Sequence, residues 1–239
     1  LNGPPAVYGH VVVDEAQDHS AVALRVVGRR SPVASMTLVG DVAQSTTPAG
    51  QERWVDIFRY LVPGDGAVAP SAGAVAELTI GYRVPEPILS VANRLLPPPG
   101  VDASASRSVR GEGHDPAWVH VAPAELAGAV AAEAARLPHR HHLTGVVAPL
   151  EHHDALAKAL VDAGWTAVDH LHQLGPHEIP LFGPEQVKGL EFDGVVVVEP
   201  DEILGDTARG ARLLYVSMTR AVQELSFVTS RPTRPPVLS

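Results

Sequence analysis

Short apolar runs recur along the chain, and most end abruptly in Gly, Pro or an acidic residue. HVVVDE (10–15), SMTLVGD (35–41), WVHVA (118–122), LTGVVAP (143–149) and DGVVVVEP (193–200) are of this kind. Most lack the polar alternation of a half-exposed strand, so they predict strands buried on both faces, as in a parallel sheet. Between them lie segments with helical spacing: SAVALRVVGRR (20–30), PEPILSVANRLL (85–96), AELAGAVAAEAARL (124–137) and HDALAKALVDAG (153–164). Gly164 is placed to stop the last of these, and Pro85 to open the second. Strands alternating with helices predict an α/β fold, with a mostly parallel sheet and flanking helices.

Two stretches break the alternation. VPGDGAVAPSAGAVA (62–76) has the Pro, Gly and Ala content of a linker, and LPPPGVDASASRSVRGEGHDP (96–116) reads as a surface excursion. The first predicts two units meeting near residue 65. With 239 residues, nearly half of them hydrophobic, the chain can fill a sizeable core. A net charge of −9 argues against a domain that holds nucleic acid by charge alone. The sequence has no Cys, which removes disulfides and thiolate zinc sites and fits a reducing compartment such as the cytoplasm. No apolar run approaches the roughly 18 residues of a membrane span, so no membrane partner is expected.

The candidate chemistry sits at the strand ends. In open α/β sheets ligands bind beyond the C-terminal ends of strands. Asp14 and Glu15 end the first strand. Asp14 offers a hard oxygen ligand for Mg²⁺, and Glu15 is placed to orient or deprotonate a water. The second strand repeats the design with Gly40, Asp41 and Gln44. LTIGYRVPEPI (78–88) reads as a strand leading to Tyr82 and Arg83. PEQVKGLEFDGVVVVEP (184–200) precedes a Val-rich strand, and the helix-like LLYVSMTRAVQELSFV (213–228) contains Arg220. Taken singly, each has a plainer reading. The carboxylates can be a solvated strand end, Arg83 a surface arginine, Glu191 and Asp193 loop charges, and Arg220 a helix-face partner for Glu224.

In this order, Asp-Glu-Ala-Gln-Asp, Gly-Asp-x-x-Gln, Tyr-Arg, Lys-Gly-Leu-Glu-Phe-Asp and Tyr-Val-x-x-Thr-Arg-Ala resemble motifs II to VI of the UvrD/Rep-like superfamily 1 helicases. SMTLVGDVAQ, LTIGYRVPEPI and RSVRGEGHDPAW resemble most the actinobacterial HelD type, which binds RNA polymerase. The resemblance implies a RecA-like P-loop NTPase fold with ATP held in a cleft between two lobes. Residues 1–65 would be the end of the first lobe (motifs II and III) and 66–239 the second (motifs IV to VI). It further implies that Asp14 coordinates Mg²⁺, Glu15 is the catalytic base, and Gln44 senses the γ-phosphate. Arg83 and Arg220 would act as arginine fingers, and Glu191 would bind the ribose with Gly189 permitting close approach.

The sequence departs from the family in three places. The only lysines, Lys158 and Lys188, are followed by Ala and Gly, so no Gly-Lys-Ser/Thr phosphate loop is present. That loop is expected upstream of Leu1, in a missing N-terminal half, and this chain alone is expected to bind ATP weakly and not to turn it over. After Gln44, where DNA translocases carry a base-stacking aromatic, the sequence is small and polar. Trp54 is the large ring nearby, and its spacing with Ile57, Phe58 and Leu61 assigns it to a helix core rather than to a stacked base. Finally, the interval from Arg83 to Lys188 leaves little room for an inserted accessory domain.

HRHH (139–142), with His152 and His153, has the composition of a metal cluster but reads better as a solvated loop. The expectation is a C-terminal piece of a helicase-like ATPase that remodels nucleic acid or an RNA polymerase complex. The alternatives are a DNA repair helicase or translocase, and a non-catalytic polymerase-binding module.

Overall fold

A computed structural model of the chain describes residues 6–62, 75–96 and 105–238. Most of the linker stretch 62–76, and residues 97–104 of the second irregular stretch, lie outside the described residues. The chain forms two compact units. Among described residues the first holds 6–62 and 75–78, and the second holds 79–96 and 105–238.

In the first unit, β1 (Val11–Val13) and β2 (Met36–Leu38) pair in parallel, with Val11 opposite Met36 and Val13 opposite Leu38. Helix α1 (Ala21–Gly28) starts at Ser20, whose hydroxyl accepts the Ala23 amide and so satisfies one orphan donor of the first turn. Helix α2 (Trp54–Leu61) packs on α1. Their approach is close: a Cβ on Gly28 would lie 2.0 Å from the Leu61 carbonyl oxygen. Val13, Ala16, Leu24, Val42, Ile57 and Leu61 form the core, and Trp54 packs partly buried against it, on the face its spacing predicted.

The second unit is built on six strands: β5 (Ala117–His120), β6 (Thr144–Val147), β7 (Thr166–Val168), β8 (Glu178–Phe182), β9 (Phe192–Val198) and β10 (Ala221–Thr229). Their order is β5-β10-β9-β6-β8-β7, and every pairing is parallel. The α/β reading therefore holds. β6 and β9 are buried, as their Val-rich, non-alternating sequences require. Helix α4 (Leu126–Arg136) and helix α5 (His153–Asp162) pack against each other, and Val130, Leu137, Leu156 and Leu160 join Val146, Val196 and Val228 in one core. Gly164, at φ +84°, ends α5 in the left-handed conformation that glycine adopts without steric cost.

A short parallel ladder joins β3 (Ile80–Gly81) to β4 (Arg107–Ser108), with helix α3 (Glu86–Ala92) following β3. Pro85 precedes the first residue of α3 as its N-cap. Helix α6 (Pro200–Leu204) and helix α7 (Ala208–Met218) lie between β9 and β10. β7 and β8 did not stand out in the sequence pattern. β8 carries Pro180, which lacks a ladder donor, and at that residue it passes from pairing with β7 (178–180) to pairing with β6 (181–182). Among the described residues no helix is long and apolar enough to cross a membrane.

A part-buried ionic cluster ties α4 to β10. Arg136 Nη2 donates to Glu133 Oε1 at 2.7 Å and to Glu224 Oε1 at 2.6 Å. His141 Nε2 lies 2.9 Å from Glu224 Oε2, Arg140 Nη1 lies 3.2 Å from the same oxygen, and the Ser226 hydroxyl donates to Glu133. The Arg136 hydrogen bond holds the Glu133 carboxyl below its ordinary 4.5. Burial pushes Glu224 up, but the hydrogen bonds from His141 and Arg136 outweigh it, so Glu224 too lies below 4.5. A carboxylate depressed in the folded state stabilises fully above its unfolded value and loses that contribution as pH falls through the folded value. Unit stability should therefore decline once pH drops below about 4.5. Glu224→Gln is expected to flatten that acid limb while lowering stability at neutral pH, measured as denaturant midpoints across pH 3 to 7.

Candidate functional site

In the first unit the chain leaves β1 through Asp14 and turns at Glu15, which has φ +49° and ψ +43°. A non-glycine residue held there costs on the order of 1–3 kcal/mol and persists only where its surroundings fix it. The fixing residue is Gln17, which is fully buried. Its Nε2 donates to Glu15 Oε2 at 2.6 Å, and its Oε1 accepts the Asp41 amide at 3.1 Å. One buried amide thus ties the tip of β1 to the tip of β2. Gly40 is small for this reason: a Cβ there would come 2.2 Å from Gln17 Oε1. Asp41 accepts the Ala43 amide on Oδ1 and Gln44 Nε2, at 2.8 Å, on Oδ2. Asp14, Glu15 and Gln44 are therefore gathered at one end of the β1–β2 ladder.

Gln17 belongs to the Asp-Glu-Ala-Gln-Asp stretch, yet no role for it follows from the motif reading. The available signal was an amide two residues beyond a pair of carboxylates, which periodicity cannot place inside or outside the core. Gln17→Ala strands the Asp41 amide and releases Glu15. It is expected to cost about 1–3 kcal/mol, the usual penalty for orphaning a buried partner, read by chemical denaturation. The small polar run after Gln44 also has a structural use. Ser45, Thr46 and Gln51 are buried, the Gln51 amide donates to the Gln17 carbonyl at 2.6 Å, and Gln51 Nε2 donates to the His19 carbonyl.

In the second unit, residues far apart in sequence converge. Arg83 Nε lies 2.7 Å from Glu191 Oε1, with both side chains about half exposed. Gly189, two residues before Glu191, has φ +77° and open space where a Cβ would stand. Arg220 is buried. Its Nε donates to the Val216 carbonyl at 3.1 Å and its Nη1 to the Leu190 carbonyl at 3.3 Å. In return the Phe192 amide donates to the Arg220 carbonyl at 3.0 Å. The 189–191 turn is thus held by Arg220 and capped by Arg83.

Arg220 lies in the turn between α7 and β10 rather than on a helix, so it does not pair with Glu224, which the α4 cluster occupies. The HRHH segment is not simply a solvated loop. His141 is turned inward onto Glu224, and the His142 amide donates to Asp193. Asp193 also accepts the Leu143 amide and Gln223 Nε2. Burial pushes its carboxyl up, but these donors hold it below its ordinary 3.8. The His139 side chain lies outside the description. Among the described residues no three His, Asp or Glu side chains are grouped to hold a metal by themselves.

Asp14 is exposed and spends Oδ1 on the Glu15 amide. A lone carboxylate suits Mg²⁺, which commonly takes one or two protein carboxylates and fills its shell with phosphate oxygens and water.

Residues 185–228 match the family model for the UvrD-like helicase C-terminal domain. That segment contains Gly189, Glu191 and Arg220. No curated protein matches the sequence. The fold is similar to the crystal structure of the C-terminal domain of a possible DNA helicase from Lactobacillus plantarum WCFS1. The TM-score is 0.52 at 24% identity, over 66% of this chain and 92% of that one.

Proposed function

We propose, from the UvrD-like match over residues 185–228, that this chain is the C-terminal part of a superfamily 1 helicase-like ATPase. The observation that carries the reading is the convergence of Arg83, Gly189, Glu191 and Arg220 on one turn of the second unit. Phosphoryl transfer needs little beyond positioning and charge stabilisation, and these groups are suited to it. Arg83 and Arg220 present guanidinium groups for developing phosphate charge. Glu191 offers a carboxylate for ribose hydroxyls, beside a glycine that lets a ligand approach the backbone. In the first unit, Asp14 offers a ligand for Mg²⁺, Glu15 a base for water, and Gln44 an amide for the γ-phosphate. ATP with Mg²⁺ supplies the transferable phosphoryl group when bound. The phosphate-cradling loop is not among these residues and would come from elsewhere in the ATPase, a cytoplasmic enzyme in this reading.

A finer reading is remodelling of an RNA polymerase complex, as in the HelD type, rather than DNA translocation. It is supported by the small polar run after Gln44, which is buried at Ser45, Thr46 and Gln51 and, through Ser45 and Gln51, hydrogen-bonds the Gln17 and His19 carbonyls, where the sequence carries no aromatic to stack a base. The test is the ATPase rate of the complete enzyme alone, with single-stranded DNA, and with RNA polymerase. Stimulation by polymerase and not by DNA is the expected result. Strong stimulation by DNA alone overturns the finer reading, and no ATP hydrolysis under any condition overturns the whole proposal.

A further inference from the structure

Segment 107–110, whose sequence read as an irregular excursion, wraps the loop that presents Arg83. The Val109 amide donates to the Gly81 carbonyl at 3.0 Å, and the Ser108 hydroxyl donates to the Val84 carbonyl at 2.6 Å. The Ser108 amide donates to Glu86 Oε2, and the Glu86 amide donates to the Arg110 carbonyl at 2.9 Å. The Arg83 carbonyl is taken by Arg110 Nη1. That same nitrogen donates its other hydrogen to the Val222 carbonyl at 2.6 Å. Val222 lies in β10, two residues beyond Arg220. One terminal nitrogen of Arg110 therefore grips the backbone under Arg83 and the strand start just beyond Arg220.

We infer that Arg110 is a positioning residue that fixes the backbone of Arg83 relative to Arg220 while leaving the Arg83 side chain free to move. The inference rests on the reading of Arg83 as a phosphate-contacting group. The Arg83 head is held by an exposed ion pair with Glu191, a kind of contact that contributes little and exchanges readily. A phosphate can therefore displace Glu191 at small cost. The Cα of Arg83 must not drift with the head, because errors of about 1 Å in a catalytic group can cost on the order of a hundredfold in rate. Arginine suits the task. It stays charged, and the two hydrogens of one terminal nitrogen point in fixed directions within the guanidinium plane, one to each carbonyl.

Two measurements test this. In the chain itself, Arg110→Ala should speed hydrogen exchange of amides in residues 80–88 by about tenfold, while those of β9 keep their protection. In the complete ATPase, Arg110→Ala should lower kcat by about tenfold with KM for ATP changed less than about twofold. The double variant Arg83→Ala/Arg110→Ala should be no slower than Arg83→Ala alone, because removing the head makes its placement irrelevant. A merely structural arginine would not give that non-additivity. If Arg83→Ala leaves kcat intact, the proposed function has failed, and the exchange result still reports on the brace. If Arg83→Ala slows turnover but Arg110→Ala does not, or the two losses multiply, the positioning role is overturned. Should Arg110→Ala fail to fold, Arg110→Met carries the same test: it keeps most of the aliphatic stem and loses both donated hydrogen bonds.

Discussion

Replacing Arg220 by Ala is expected to slow ATP hydrolysis by the complete enzyme by about a thousandfold or more, the range seen when an arginine finger is removed. The structure explains why Lys should not rescue it. Arg220 is buried and spends Nε on the Val216 carbonyl and Nη1 on the Leu190 carbonyl, while Nη2 donates to the Thr219 hydroxyl, so its planar group is set in two directions by backbone carbonyls. A lysine ammonium is a point charge on a flexible stem and cannot reproduce both directions. The same contacts mean that Arg220→Ala also loosens the 189–191 turn. The rate should therefore be compared at a temperature where circular dichroism shows both proteins folded, with nucleotide affinity measured separately using a non-hydrolysable analogue. A kcat within about twofold of the unmodified enzyme would remove Arg220 from the chemistry.

Glu15→Gln is expected to reduce turnover by about a hundred- to ten-thousandfold, the usual contribution of a general base, with ATP affinity nearly unchanged. This variant is informative because it leaves the architecture alone. Gln17 Nε2 donates to a Glu15 oxygen, and a glutamine carbonyl at position 15 can accept the same hydrogen bond. The left-handed turn at residue 15 and the tie between β1 and β2 should survive. Loss of rate without loss of stability then isolates the carboxylate. Steady-state ATPase together with denaturant titration of the same variant provides the check. Unchanged turnover would mean that the carboxylate at the tip of β1 is a solvated strand end after all.

Much of the fold could be read along the chain. β1, β2, β5, β6 and β9 lie where the apolar runs placed them, and α1, α3, α4 and α5 lie where helical spacing did. These elements are local: a run of Val that lacks polar alternation can be buried only on both faces. Trp54 likewise followed its spacing into the first-unit core. The reading failed where a strand owes its existence to its neighbours. β8 contains a proline and is a strand because β6 and β7 flank it. β4 is two residues long and exists because it pairs with β3, the strand expected before Tyr82.

For the candidate site, the sequence determined which residue types stood at the strand ends, and the ordered motifs marked Asp14, Glu15, Gln44, Arg83, Gly189, Glu191 and Arg220. It could not say that Glu191 meets Arg83, that Arg220 clamps Leu190, or that Gln17 and Arg110 hold the loops in place. Composition and periodicity report what a residue is and which face of its own element it occupies. Which distant backbone carbonyl needs a donor is decided only when the strands are assembled, and that demand selected Arg110 and turned Arg220 away from Glu224.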